Sequence, residues 1–168
     1  MSINIITTGG TFDKVYHDAL SEFSIGEPVA GHILARASAG KDYQIHSLLK
    51  KDSLDLDDKD RQLLADTVAA SSAPRILVIH GTDTMTASAA ALQHIKGKTI
   101  VFTGAMQPAR MRESDAEFNL GFALGVLHCL PPGIYIAMHG QVFPADQAQK
   151  DRKQSLFVGH ALTNPTPG

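Results

Sequence analysis

The chain has no tryptophan, and Cys129 is the only cysteine among its 168 residues. A single thiol cannot form an internal disulfide, and it cannot supply the several thiolates of a structural zinc site. Cysteine usage of this kind is typical of a reducing compartment, so we expect a cytoplasmic location.

Common cofactor signatures are also missing. The eight histidines do not fall in HExxH or a similar ligand spacing, and neither GxxxxGK[ST] nor GxGxxG occurs. His80 follows an apolar run, and we interpret it as a packed residue at a strand end rather than as a metal ligand. We therefore expect no metal and no cofactor.

The chain lacks an excess of charge and lacks a long apolar run. Its formal net charge of −2 and its pI of about 6.4 do not indicate a nucleic acid or an anionic membrane surface as partner. No stretch approaches the length that spans a bilayer, and the amino terminus has no basic segment followed by an apolar one. We expect a soluble, unexported protein with a small-molecule ligand and no membrane or nucleic-acid partner.

The sequence does contain alternating strand-like and helix-like segments, and 43% of its residues are hydrophobic, enough for one domain over 1–168. Apolar runs predict five strands: Ile3–Ile6, Tyr43–Leu49, Ile76–Ile79, Thr99–Phe102 and Ile134–Met138. Apolar spacing predicts four helices: Val29–Ala37, Arg61–Ala70, Thr86–Ile95 and Phe118–Leu130. Parallel strands need crossovers of this length, so we predict an α/β fold, a three-layer αβα sandwich with a mostly parallel, flavodoxin-like sheet.

Three loops rich in small polar residues follow predicted strands, at Thr7–Thr11, His80–Met85 and Thr103–Met106. In a parallel sheet they emerge at one edge and form a crevice. A single Gly-Thr turn usually only reverses the chain, but three together favour a site, and their glycines can present backbone N–H groups to an oxyanion.

The second loop places a hydroxyl and a carboxylate side by side, at Thr82 and Asp83. A threonine hydroxyl is a poor nucleophile until a base or cation activates it. Lys150 follows the last predicted strand and could reach the same edge, although a lone lysine is more often an ordinary solvated side chain.

The segments Thr8–Thr11 (TGGT), His80–Met85 (HGTDTM) and Phe102–Met106 (FTGAM) resemble, in order and spacing, the signature segments of bacterial-type L-asparaginases, which are threonine amidohydrolases. The resemblance covers nearly the whole chain, but only the amino-terminal domain of the usual two-domain enzyme.

The resemblance implies a role for each matching position. Thr11 matches the first nucleophilic threonine. Thr82, Asp83 and Lys150 match the second threonine with its acid and lysine partners, and Asp83 would also contact the substrate α-amino group.

The resemblance also implies substrate-binding positions. Ser53 matches the serine that holds the substrate α-carboxylate, and Gly10, Gly81 and Ala105 would contribute backbone groups. Family members carry a tyrosine in the mobile loop after TGGT, where Tyr16 is the only tyrosine before Pro28. Phe23 is an alternative partner in that comparison, and Tyr16 could instead be a packing aromatic.

The missing second domain leaves two alternatives. In two-domain relatives a neighbouring subunit completes the pocket, so this chain is either a natural short form, which the nearly complete motif set favours, or a fragment. A pocket with an open side and a mobile lid predicts a homo-oligomer, a dimer or a tetramer.

The resemblance implies hydrolysis of L-asparagine to L-aspartate and ammonia. Glutamine is an alternative substrate, since one methylene is a weak discriminator. A non-catalytic amino-acid-binding or assembly domain is the alternative from another class. Two polar segments have no assigned role: Arg110–Asp115, interpreted as a solvated loop or a subunit contact, and 163–168, interpreted as a tail or the start of a linker.

Overall fold

The computed structural model describes residues 3–40 and 42–162, and its core is a six-stranded sheet. The strands of that sheet are β1 (Ile3–Gly9), β4 (Tyr43–Lys51), β5 (Arg75–Ile79), β6 (Thr99–Thr103), β7 (Gly133–Met138) and β8 (Gln141–Pro144). They lie in the order β4-β1-β5-β6-β7-β8, with every neighbouring pair parallel except β7 and β8. Counted in chain order, the parallel strands run second, first, third, fourth, fifth, which is the flavodoxin-like order.

Four helices cover the sheet: α1 (Ala30–Arg36), α2 (Asp58–Ala70), α3 (Met85–Ala91) and α4 (Ala116–Cys129). Apolar side chains of α2 and α3 pack with Ile6, Val78 and Phe102 in one core cluster. Those of α1 and α4 pack in the other, with Ile5 and Leu77. The helices therefore form a layer on each face, and the predicted α/β sandwich is confirmed.

All five predicted strands are present, and the three central strands β1, β5 and β6 are the most continuously buried runs. Ile76 to Ile79 are fully buried on both faces of the sheet, as are Ile100 to Phe102. Leu77 lies opposite Ile5 on one side and Val101 on the other. Continuous apolar runs of this kind mark buried parallel strands.

The four predicted helices are also present, with shifted ends. α2 begins at Asp58 rather than Arg61, because Asp57 and Asp60 form a reciprocal capping box at its start. α3 ends at Ala91, before Ile95. α4 begins at Ala116 and ends at Cys129, one residue before Leu130-Pro131-Pro132, where proline cannot continue a helix.

Two small hairpins were not predicted. The first consists of β2 (Lys14–His17) and β3 (Glu22–Ile25), and the second of β9 (Ala148–Asp151) and β10 (Leu156–Gly159). Short 3-10 turns occupy Thr11–Asp13, Ser53–Asp55 and Ala145–Gln147. The terminal segment 163–168 lies outside the described residues, so its interpretation as a tail or linker stays a prediction.

Candidate active site

The loops that follow β1 and β5 meet at the point where the strand order reverses, which is the usual ligand position in open α/β sheets. Gly10 and Gly81 are in backbone contact there. A Cβ on Gly10 would lie 2.5 Å from both the Cα and the N of Gly81, and the φ of Gly10 is 76°. Only glycine combines that conformation with so close an approach. Thr11 and Thr82 directly follow these glycines, so the backbone contact holds both threonines beside the same crevice.

The loop after β4 closes a second side of this crevice. A Cβ on Gly81 would lie 2.6 Å from the Cβ and 2.7 Å from the Oγ of Ser53. The Thr84 hydroxyl donates to the Ser53 carbonyl oxygen at 2.7 Å and fixes this loop. Ser53 is 1% exposed, and its hydroxyl has no hydrogen-bond partner among the described residues. A buried hydroxyl without a partner is costly, so Ser53 offers a hydrogen bond to a ligand at this position.

Lys150, on β9, reaches the loop after β5. Its ammonium donates to the Thr82 hydroxyl oxygen at 2.7 Å and to Asp83 Oδ1 at 2.9 Å. The Lys150 side chain is only 15% exposed, so both contacts are shielded from water. Arg152 lies 3.7 Å from the same carboxylate oxygen but is largely exposed. This is the three-residue group that the sequence indicated, and the ammonium can stabilise negative charge that develops on the Thr82 oxygen.

Thr11 opens a 3-10 turn that continues into Phe12 and Asp13. Phe12 is fully buried and anchors the turn in the core, whereas Thr11 itself remains partly exposed at the crevice. The Gly10 N–H donates to the Lys51 carbonyl at 2.9 Å, which ties this turn to the end of β4. The Thr11 hydroxyl is therefore carried by a fixed backbone.

Asp13 is 1% exposed and anchors the hairpin that follows. Its Oδ1 accepts the Val29 N–H at 2.9 Å, and its carbonyl oxygen accepts the Gly26 N–H at 2.8 Å. Burial raises the pKa of the Asp13 carboxyl to about 6, and the Val29 hydrogen bond offsets only part of that effect. Asp13 was not singled out as a site residue, and a charged residue next to a mobile loop offers no sign in sequence that it will be buried.

Tyr16 lies on β2, opposite Phe23 on β3. The two rings pack at a centroid distance of 5.0 Å, and Tyr16 is 49% exposed. In the described part of the chain, no hydrogen bond joins Tyr16 to Thr11. The structure thus places Tyr16 on an outer hairpin near the site, rather than in contact with the two threonines.

The loop after β6 also borders the crevice. A Cβ on Gly104 would lie 2.3 Å from the His80 carbonyl oxygen, so this loop also packs closely against the loop after β5. Ala105 is buried next to it. Met106 Sδ lies 3.7 Å from the Thr82 hydroxyl, which can donate a weak hydrogen bond to it.

Asp115 holds the loop after β6 in place by hydrogen bonds. The sequence did not predict that its side chain would be partly buried. Its carboxylate accepts the N–H groups of Met106 and Gln107, the Asn119 amide and His139 Nε2, all at 2.8 to 3.1 Å. Burial raises the pKa of Asp115, but these hydrogen bonds outweigh it and lower the pKa to about 2. The interpretation of Arg110–Asp115 as a solvated loop or subunit contact is wrong for Asp115. The one sequence signal that could have identified Asp115 was its position directly before helix α4.

His80 is fully buried, as expected for a packed residue. Its Nδ1 lies 2.6 Å from the Gly81 carbonyl and its Nε2 lies 2.8 Å from the Ser88 hydroxyl. Burial lowers the pKa of His80 to about 4, so the ring is neutral and donates from Nδ1. Across residues 3–40 and 42–162, no group of three His, Cys, Asp or Glu side chains could hold a metal ion. In the same residues no helix is long and apolar enough to cross a membrane.

The fold and the crevice define an α/β domain with a hydroxyl, carboxylate and lysine site at the strand switch point. The model of the asparaginase N-terminal domain matches residues 2–158, and the chain belongs to the asparaginase family. This confirms the resemblance that the three signature segments indicated.

Similar proteins carry the same family name. The chain is 27% identical over 175 residues to an L-asparaginase of Thermococcus kodakarensis, covering 98% of this chain and 52% of that protein. The solved structure of a thermostable L-asparaginase from the same organism superposes with a TM-score of 0.80 at 26% identity, covering 95% of this chain and 51% of that chain. L-asparaginase I from Vibrio cholerae superposes with a TM-score of 0.78 at 25% identity, covering 94% of this chain and 51% of that chain. The chain therefore spans about half the length of these relatives.

Proposed function

We propose that the chain hydrolyses the side-chain amide of L-asparagine to L-aspartate and ammonia through a threonine acyl-enzyme. The observation that supports this most strongly is the pair of hydrogen bonds from Lys150 Nζ to Thr82 Oγ1 at 2.7 Å and Asp83 Oδ1 at 2.9 Å. A lysine ammonium in this position can stabilise negative charge on the Thr82 oxygen while that hydroxyl passes on its proton.

In the proposed reaction, Thr11 Oγ attacks the amide carbon and forms a tetrahedral oxyanion. Backbone groups around Gly10, Gly81 and Ala105 stabilise that oxyanion. The carbon–nitrogen bond then breaks, the proton that the Thr11 hydroxyl gives up passes to the nitrogen, and ammonia leaves an aspartyl ester on Thr11. Water attacks the ester, Thr82 and Lys150 relay the proton, and aspartate and free Thr11 are regenerated.

Substrate orientation follows from the charges of the crevice. Asp83 would accept hydrogen bonds from the α-ammonium group, and the unpartnered Ser53 hydroxyl would donate to the α-carboxylate. Tyr16 would approach Thr11 only if the hairpin β2–β3 closes over the crevice, since its ring packs on Phe23 in the present arrangement.

We extend the proposal to a cytoplasmic homo-oligomer, a dimer or a tetramer. The exposed hairpin leaves one side of the crevice open, which a neighbouring subunit could cover. The single cysteine is consistent with a reducing compartment. Light scattering of the purified chain measures the mass; a monomer at assay concentration would contradict the assembly.

The test is ammonia release from asparagine by wild type, Thr11→Ala and Thr82→Ala. Each alanine variant is expected to lose activity by about a thousandfold. Thr67→Ala is the matched control, because it removes a threonine hydroxyl from helix α2, which packs on one face of the sheet. An acid-quenched wild-type sample should carry one aspartyl group on the peptide that contains Thr11.

Three results would overturn parts of the proposal. Full activity in either site variant would remove that threonine from the mechanism. A higher kcat/KM for glutamine than for asparagine would change the substrate. Binding of aspartate without ammonia release from either amide would identify a non-catalytic binding domain.

A further inference from the structure

A cleft of about 430 Å³ is lined by α1 and by Glu117 at the start of α4, and its lining contains none of the candidate site residues. The segment that follows Pro108 forms its other wall. Its charged lining consists of Arg36, Arg110, Arg112 and Glu117, with His32 beside them. We call this the arginine cleft. Three arginines in one cleft are notable in a chain whose formal net charge is −2.

The positive charge of the arginine cleft is not neutralised from within. Glu117 is the one carboxylate in its lining, and it is already paired with Arg36. The carboxylate of the nearby Glu27 is paired with Lys50. Among the described residues, Arg112 has no hydrogen bond or ion pair. The guanidinium of Arg112 thus remains without an anionic partner, and that of Arg110 has only an electrostatic interaction with the buried Asp13 carboxyl.

Arg110 is held in a fixed position, unlike an ordinary surface arginine. Its Nη1 donates to the Asp13 carbonyl and its Nη2 to the Glu27 carbonyl, both at 3.2 Å. The N–H of Ala109 donates to the Phe12 carbonyl at 3.1 Å and fixes the same segment. Two neutral carbonyl oxygens orient the guanidinium without cancelling its charge, so one wall of the cleft is preorganised.

We propose that the arginine cleft binds a small dianion that presents phosphate or carboxylate oxygens to Arg110 and Arg112. A planar guanidinium donates two parallel N–H groups, a geometry that matches these oxyanions. His32 supplies a further donor from α1. The bound dianion contacts the same Arg110 that is hydrogen-bonded to Asp13, two residues after Thr11, so its binding stabilises the base of the hairpin β2–β3.

The test is calorimetric titration of the full chain with inorganic phosphate and with succinate, each against acetate and chloride at matched ionic strength. Saturable binding of phosphate, succinate or both is expected, and the one that binds more tightly identifies the oxyanion. Arg112→Glu should weaken that binding by at least about tenfold, because it replaces a charge-assisted donor with a repulsive carboxylate. Arg112 is exposed and has no hydrogen bond or ion pair among the described residues, so this variant should retain the fold.

Lys59→Glu is the matched control, since it makes the same charge change on an exposed position of α2, across the sheet from α1. It should bind the dianion as wild type does. Equal weakening in both variants, equal binding of monoanions, or no saturable binding of either dianion would overturn the proposal.

Hydrogen exchange locates the bound dianion independently of any enzymatic activity. Slower amide exchange is expected in residues 12–29 and 108–112. Protection only in other parts of the chain would place the dianion elsewhere and would also overturn the proposal. Because no readout uses ammonia release, failure of the asparaginase reaction and failure of this site are distinguished.

Discussion

The candidate site has two sides that are built in opposite ways. The packed side consists of Gly10, Ser53, Gly81, Thr82 and Lys150. There the backbones of the two glycines are in contact, and the polar side chains are shielded from water. On the hairpin side, β2–β3 projects into solvent and is largely exposed from Tyr16 to Ser24. Close packing fixes positions within fractions of an ångström, whereas exposed contacts contribute little stability. The fold therefore preorganises the groups of the packed side, whereas a group on the hairpin would have to move to reach the crevice.

One buried residue anchors the hairpin, and one ion pair joins it to the packed side. Asp13 holds the base of the hairpin, and Lys14 forms an ion pair with Asp52 at 2.9 Å, next to Ser53. Both ion-pair side chains are about one-third exposed, so the pair can open at little cost. The effect of a substitution should therefore decrease from the packed side to the hairpin.

Removal of the Lys150 ammonium should give the largest loss. In Lys150→Met, ammonia release should fall by about a thousandfold, because Thr82 and Asp83 lose their shared proton partner. Lys153→Met, on the exposed turn between β9 and β10, should keep wild-type activity. If the two variants were equally active, the packed side would not contain the proton relay.

A methyl group on Gly81 should cost stability. In Gly81→Ala the new Cβ would meet Ser53 at 2.6 Å, so the free energy of unfolding should fall by about 2–3 kcal/mol. Gly121→Ala on α4 has no heavy atom within 4 Å of its new Cβ and should be stabilising by about 0.5–1 kcal/mol. Urea unfolding measures both. A Gly81 variant as stable as wild type would mean that the loops after β4 and β5 separate easily.

Asp13 should make stability depend on pH. Its folded pKa of about 6 exceeds the ordinary value of 3.8, so between these values the folded state retains a proton that the unfolded state has released. Stability therefore falls as pH rises through this window, and the whole penalty is present above pH 6. Asp13→Asn keeps the oxygen that accepts the Val29 N–H, and removes the penalty.

Urea unfolding at two pH values measures this effect. Asp13→Asn should exceed wild type by about 1–3 kcal/mol at pH 8 and by much less at pH 4. Asp18→Asn, on the exposed turn of the hairpin, should change stability by less than about 0.5 kcal/mol at both. If the free energies of unfolding of Asp13→Asn and wild type differed by the same amount at both pH values, ionisation of Asp13 would not be the cause.

Tyr16→Phe should give the smallest effect. The ring keeps its packing on Phe23, so the free energy of unfolding should change by less than about 0.5 kcal/mol. If the hydroxyl assists Thr11 on closure, kcat should fall by about tenfold. Tyr43→Phe, at the opposite end of the sheet, should not change kcat. An unchanged kcat in Tyr16→Phe would remove Tyr16 from the proposed site and leave the hairpin a steric role.

The central sheet could be predicted from sequence because burial on both faces demands continuous apolar runs, as in Ile76–Ile79. The hairpin β2–β3 could not, since its short strands mix polar and apolar residues and are mostly exposed, and the Tyr16–Phe23 pair appears only once the strands are aligned. β8, β9 and β10 have four residues each, too few for a periodic pattern.

The candidate site, like the fold, has parts that the sequence predicts and parts that it does not. Thr82 and Asp83 were predicted to lie at the crevice because the loops after parallel strands converge, whereas Lys150 was assigned to them through the family resemblance. The network around Asp115 joins residues from two loops and a helix, and nothing in a charged run distinguishes a buried carboxylate from a solvated one. The raised pKa of Asp13 likewise follows from tertiary burial, not from neighbours in sequence.

The position of Lys150 on its own small hairpin has a consequence for biosynthesis. Its partner Thr82 lies 68 positions earlier, and all six strands of the main sheet precede β9 in the chain. Because domains are synthesised from the amino terminus, the sheet and the loop that carries Thr82 can assemble on the ribosome before Lys150 has emerged. A nascent chain halted after β8 would thus carry an unpaired Thr82 and Asp83, and would gain the complete charge arrangement only with β9.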